Sequence, residues 1–137
     1  MRKCDYCSKK FLGAGFILEH NNDTTTDFCS RNCFEKKFRG YALGVLEDIE
    51  SSKPKNALTK RYNNTRKIFF RACLNDTPTE QLKKLKAPAD NAMTDMLELL
   101  NDEVQAGIET EQEYLYTADF LKHRSRFMTI MIEVLGK

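Results

Sequence analysis

Histidine is scarce in this 137-residue chain, with two copies, and tryptophan is missing altogether. The missing tryptophan decides nothing. The two histidines, His20 and His123, leave little from which to build a catalytic metal site. No Gly-rich phosphate loop and no Ser/His/Asp set stands out, and a chain that reads as helical after residue 31 argues against a nucleotide-binding α/β domain. No apolar run approaches the ~20 residues that a membrane span needs, so no membrane partner is expected. The five cysteines are an odd number. Met1-Arg2-Lys3 runs straight into the first of them, leaving no room for a secretion signal. An extracellular disulfide framework is therefore not expected. A reducing, intracellular setting, cytoplasmic or nuclear, is expected instead. Internal repeats and low-complexity tails are also missing.

What is present begins with cysteine. Cys4-Asp5-Tyr6-Cys7 is followed, twenty-one residues later, by Cys29-Ser30-Arg31-Asn32-Cys33. Two cysteine pairs at this short spacing let four thiolates converge on one ion at about 2.3 Å, which is the tetrahedral set that a structural zinc ion takes. Cys4, Cys7, Cys29 and Cys33 are the expected ligands of one Zn²⁺. Ser30 is a good helix N-cap, which puts Cys33 in the first helical turn. There the helix dipole favours a thiolate.

The stretch resembles the small treble-clef-like zinc fingers called TRASH or MYM-type. Cys4, Cys7, Phe28, Cys29, Ser30, Cys33 and Phe38 carry the match, which covers about the first forty residues. The resemblance implies zinc binding and a binding module, for nucleic acid or for protein, and does not choose between them. Where the pattern has glycine after the first knuckle, this chain has Ser8.

Length and composition allow one domain, or a finger plus a small helical domain. The expected fold is mainly α. It has a zinc finger with a β-hairpin over residues 1–40, whose helix continues to about 50, and a bundle of about four or five helices over 41–137, packed as one unit with the finger. Charge is divided unevenly. Residues 1–73 hold 15 Lys/Arg against 8 Asp/Glu, a balance of +7, and residues 74–137 hold 7 against 12, a balance of −5. A basic working half and an acidic half with another task is one reading, and solvated helix surfaces are the plainer one.

In chain order, residues 9–18 and 24–28 read as a hairpin turned by Asn21-Asn22-Asp23, with Gly13 and Gly15 marking a bend. A helix over 31–50 carries Phe34, Phe38, Tyr41, Val45 and Ile49 as one stripe. Gly40 and Gly44 share a face of it, and close packing is the expected reason. A second helix over 57–74 has Leu58, Tyr62, Thr65, Phe69 and Ala72 on its apolar side, with Cys73 at the rim. The opposite side shows Lys60, Asn64, Lys67 and Arg71. Cations with an amide among them suit phosphates and a base edge. Thr77, Pro78 and Glu80 read as a capping box for a short helix that Pro88 interrupts. A further helix follows over 90–106, with Met93 and Met96 as core filling and an acidic far face. Thr110 and Glu113 repeat the capping box for a last helix over 111–135, carrying Tyr114, Ala118, Leu121, Ser125, Met128 and Ile132.

These features point to a non-catalytic binding module, a regulator contacting nucleic acid through Lys60, Asn64, Lys67 and Arg71. The alternative is a protein-interaction adaptor on a larger machine such as a polymerase, using the helical C-terminal half. A third reading is an HNH-like nuclease with His20 as general base, beside Asn21 and Asn32. That reading lacks the second metal-holding residue it needs, and His123 is most simply an ion-pair partner of Asp119 four residues before it.

Overall fold

The computed structural model describes residues 2–11, 16–20 and 24–137. For Arg2 and for residues 16–20 and 24–27 the backbone alone is described. Gly13, Gly15 and the Asn21-Asn22-Asp23 turn expected above lie outside the described residues. The chain is mainly α, with four strands followed by four helices among the described residues, and it divides into two compact units, Met1–Tyr41 and Ala42–Lys137.

In the first unit, β1 (Arg2–Lys3) pairs antiparallel with β2 (Lys10–Phe11). The first knuckle is the turn between them. It is closed by the Cys4 amide donating to the Lys9 carbonyl at 2.9 Å and the Ser8 amide to the Cys4 carbonyl at 3.0 Å. The stretch expected as one strand over 9–18 therefore divides: Lys10–Phe11 belongs to the knuckle, and β3 (Phe16–His20) pairs with β4 (Thr24–Phe28). The register sets Phe16 opposite Phe28 and His20 opposite Thr24.

Helix α1 (Arg31–Ser51) starts where Ser30 predicts. The Ser30 hydroxyl accepts the Cys33 amide at 3.3 Å and the Ser30 carbonyl accepts the Phe34 amide at 3.2 Å. Phe28, Phe34, Phe38 and Tyr41 then meet edge to face in succession, with centroids 5.0, 5.1 and 5.3 Å apart. That geometry suits the aromatic quadrupole. Phe28 and Phe38 are fully buried, so this ladder is the apolar centre of the first unit.

The second unit is built by α2 (Ala57–Cys73), α3 (Thr79–Gln105) and α4 (Glu111–Leu135), together with the end of α1. Asn56 caps α2 by accepting the Thr59 amide at 2.9 Å, and Thr110 caps α4 by accepting the Glu113 amide at 3.1 Å, as its sequence predicts. Tyr62, Ala92 and Leu121, one from each helix, meet in the core, with Met93, Met96 and Leu97 packed against them. Ala118, Leu121, Met128 and Ile132 are buried along α4.

Three local expectations are corrected. Pro88 does not end a helix: α3 runs through it as one 27-residue element. An interior proline costs about 3 kcal/mol. Here it lies on the exposed side, as does Lys84, whose carbonyl loses its partner, so water can satisfy that group. Just beyond it, Ala89 and Ala92 are fully buried. A polar clasp spans the same place. Lys86 donates to Asp90 at 2.5 Å and to Ser125 of α4 at 3.0 Å, and Ser125 donates to Asp90 at 2.7 Å. Packing and clasp together hold what local propensity would break. Thr77 is the second correction. Its hydroxyl donates to the Ala72 carbonyl at 2.7 Å, and Pro78 takes the N-cap place without a side-chain cap.

The third correction concerns Gly40 and Gly44. A Cβ at either would meet nothing within 4 Å, so close packing does not explain them. Gly136 differs: a Cβ there would collide with the Thr79 hydroxyl and the Ile132 carbonyl. The Lys137 amide donates to the Thr77 carbonyl beside it at 3.1 Å. Open helical glycines predict a gain on substitution. Gly40→Ala and Gly44→Ala should each stabilise the protein by about 0.5–1 kcal/mol in urea denaturation. A loss at either position would show that something needs its open face.

Candidate metal centre

Four sulfurs come together in the first unit. Cys4 follows β1, Cys7 closes the first knuckle, Cys29 follows β4, and Cys33 lies in the first turn of α1. Their Sγ atoms all lie within 4.8 Å of one another. Cys29 Sγ is 3.6 Å from both Cys7 Sγ and Cys33 Sγ. Disulfide bonding needs about 2.05 Å, so these are not bridges. A tetrahedral zinc ion with Zn–S bonds of about 2.3 Å sets its sulfurs about 3.8 Å apart. The two 3.6 Å spacings are close to that figure, and the four cysteines can hold one metal ion, with zinc the metal that an all-thiolate tetrahedral set suits.

Protonation follows the same geometry. Burial acts to raise the Cys4 thiol, but the backbone amides of Cys7, Cys29 and Tyr6, with the Cys7 side chain, more than offset it and lower it to about 6. For Cys29, burial and then contact with the sulfurs of Cys33, Cys7 and Cys4 push the thiol up to about 12. Sulfurs this close resist carrying charge together unless a cation shares it. Metal binding supplies that cation and displaces the protons.

Ser8 explains its own departure from the finger pattern. It has φ 64°, in the left-handed region where glycine is the usual residue. Lys37 holds the knuckle from the helix side, 3.5 Å from the Asp5 carboxylate.

Cys73 takes no part. It is fully buried in the second unit, and burial pushes its thiol up to about 12. The five cysteines are free thiols, and no helix among the described residues is long and apolar enough to cross a membrane.

The basic face of α2 lies in the second unit. Lys60, Asn64 and Lys67 line a shallow groove with Asn63, opposite Ile49 and Glu50 of α1. Arg71 is 3.7 Å from the Glu50 carboxylate. Sequence reasoning missed Glu50 because no local rule links residues so far apart in the chain. It also missed Arg66, which stands in the buried row with Tyr62, Phe69 and Phe70. Its guanidinium lies over the Tyr62 and Phe70 rings, at 5.2 and 5.9 Å, and its Nε has no hydrogen-bond partner among the described residues. Burial, and then the nearby Arg124, lower it to about 10, so it stays charged at neutral pH.

The nuclease candidates are not assembled by anything described. His20 ends β3 with its side chain outside the description, and Asn21 lies outside the described residues. Asn32 is exposed in the first turn of α1, and the His123 Nε2 is 3.7 Å from the Asp119 carboxylate on α4, the contact its spacing predicts.

No protein-family model, no curated protein and no solved structure matches the chain.

Two outcomes test the centre. Native mass spectrometry should show one zinc per chain, lost in Cys7→Ser and Cys33→Ser and retained in Cys73→Ser. A stable metal-free chain with four freely reactive thiols would contradict it. Relieving the left-handed serine with Ser8→Gly should keep the zinc and raise stability by up to about 1 kcal/mol, read as a higher thermal midpoint.

Proposed function

We propose that this chain is a non-catalytic binding module, stabilised by one structural zinc ion, that contacts nucleic acid through the outward face of α2. The finger resembles the TRASH/MYM type, with β3 and β4 as its hairpin and α1 as its helix, and fingers of that kind serve as binding modules. One observation carries the choice of ligand. Lys60, Asn64 and Lys67 open onto a single groove on the protein surface, so cations and an amide face the same way. Phosphates pair with the lysines, and the amide of Asn64 is free to address a base edge.

Arg71 joins this face by exchanging its partner. Its pair with Glu50 is more than half exposed on both sides. Exposed pairs of that kind contribute about 0–1 kcal/mol, so a phosphate competes readily for the guanidinium. A protein-interaction adaptor on a larger machine is the second reading. It draws on the acidic C-terminal half, whose charge repels nucleic acid and leaves that half free for a different partner.

Salt dependence tests the first reading. Each phosphate contact removed should reduce the slope of log affinity against log salt by about one. Changing Lys60, Lys67 and Arg71 together to Glu should abolish binding of DNA and RNA while helicity and zinc content stay unchanged. If the parent protein binds neither at low salt, or the triple variant binds as well as the parent, the face is merely solvated and the adaptor reading leads.

A further inference from the structure

The start of α2, the C-terminal half of α3 and the first turns of α4 enclose a groove of about 350 Å³. Leu58, Met96, Leu99 and Leu100 are its apolar lining (the floor), and Glu103, Glu109 and Glu113 are its acidic lining (the rim). Lys55 is the one cation among its lining residues. Leu99 is 42 % exposed, and Ile108, next to Glu109, is 75 % exposed. A groove with apolar lining left open to water is a place where a partner's apolar side chains can be buried.

Among the described residues, no cation pairs with the rim carboxylates. Glu103 and Glu113 form no ion pair among the described residues, and Glu109 accepts only the neighbouring Thr110 amide, at 3.1 Å. Helix electrostatics accounts for Glu113, which sits in the first turn of α4. It does not account for Glu103. That carboxylate lies in the last turn of α3, at the negative end of the dipole, and no basic residue in that turn offsets it. The Glu103 carbonyl also accepts the amides of Ile108 and Glu109 at 2.9 and 3.2 Å. With Gly107 at φ 75°, these bonds fold the connection back and fix Glu109 on the rim.

This charge selects the occupant. Phosphate backbones and anionic lipid surfaces are repelled where apolar contact would hold them. An uncharged apolar segment would desolvate carboxylates and leave them unpaired. A segment with Leu, Ile or Met toward the floor and Lys or Arg toward the rim satisfies both demands. We propose that the groove docks a basic amphipathic segment of a partner protein, its aliphatic side chains on Leu58, Met96, Leu99 and Leu100 and its cations on Glu103, Glu109 and Glu113. This gives the adaptor reading a site and stands independently of the nucleic-acid reading.

The probe is a short fluorescein-labelled amphipathic peptide of Leu and Lys, titrated with the zinc-loaded full chain and read by anisotropy. The same peptide with Glu in place of Lys should not bind. Glu109→Gln with Glu113→Gln should weaken the Leu/Lys peptide about tenfold or more, and so should Leu99→Lys. Glu47→Gln with Glu133→Gln removes the same charge elsewhere and should change affinity by less than about twofold. Glu substitutions at Lys60, Lys67 and Arg71 should not weaken the peptide, so this site and the nucleic-acid face fail or hold separately. The proposal is overturned if the control pair costs as much as the rim pair, which would mean general charge attraction. Unchanged binding by Leu99→Lys would also overturn it. So would a dimer in sedimentation equilibrium that Leu99→Lys converts to monomer, since the occupant would then be a second copy of this chain.

Discussion

Four sulfurs within 4.8 Å of one another are electrostatically frustrated until a cation joins them. The rest of the first unit exists to hold that arrangement. The Cys4–Lys9 and Ser8–Cys4 backbone bonds shape one knuckle, the Ser30 cap presents Cys33 from a helix start, and the Phe28–Phe34–Phe38–Tyr41 ladder fixes the helix to the strand that delivers Cys29. Among the described residues of this unit the buried apolar side chains are Cys4, Phe28, Cys33, Phe34 and Phe38, a small core. A metal ion held by these sulfurs would supply what a small core cannot, on the order of 10 kcal/mol for structural zinc.

The second unit works without such a device. Its stability comes from aliphatic and aromatic burial along three helices, and its polar clasp is closed: Lys86, Asp90 and Ser125 satisfy one another. Arg66 is the exception. A guanidinium pressed onto two aromatic faces, with Nε unpaired, keeps its charge at the edge of the core. Cation–π contact offsets part of its desolvation, at about 0.5–2 kcal/mol per ring.

What the sequence made legible was local. Cysteine spacing identified all four sulfurs that converge, Ser30 and Thr110 announced two helix starts, and the period of α4 named Ala118, Leu121, Met128 and Ile132 but not the buried Met131, Val134 and Leu135. The failures came where distant packing overrode a local signal. Pro88 reads as a stop in isolation, but the chain bridges it because the residues beyond are buried and clasped to α4. Thr77 reads as a cap, yet its hydroxyl finds the Ala72 carbonyl. Glu50 opposite Arg71, and the meeting of Leu58 with Leu99 and Glu113, depend on tertiary folding that no period or spacing encodes. Arg66 escaped for a related reason: a cation in a helical row is ordinarily assigned to the solvent side.

Cys73 turns this division of the chain into something measurable. Its sulfur is sealed in the second unit and held as a thiol, while the other four belong to the first. A maleimide clock therefore keeps two separate times on one molecule. Label arriving at the four N-terminal sulfurs dates the release of their cation. Label arriving at Cys73 dates the opening of the helices, and its rate at a given pH reports how often that core breathes.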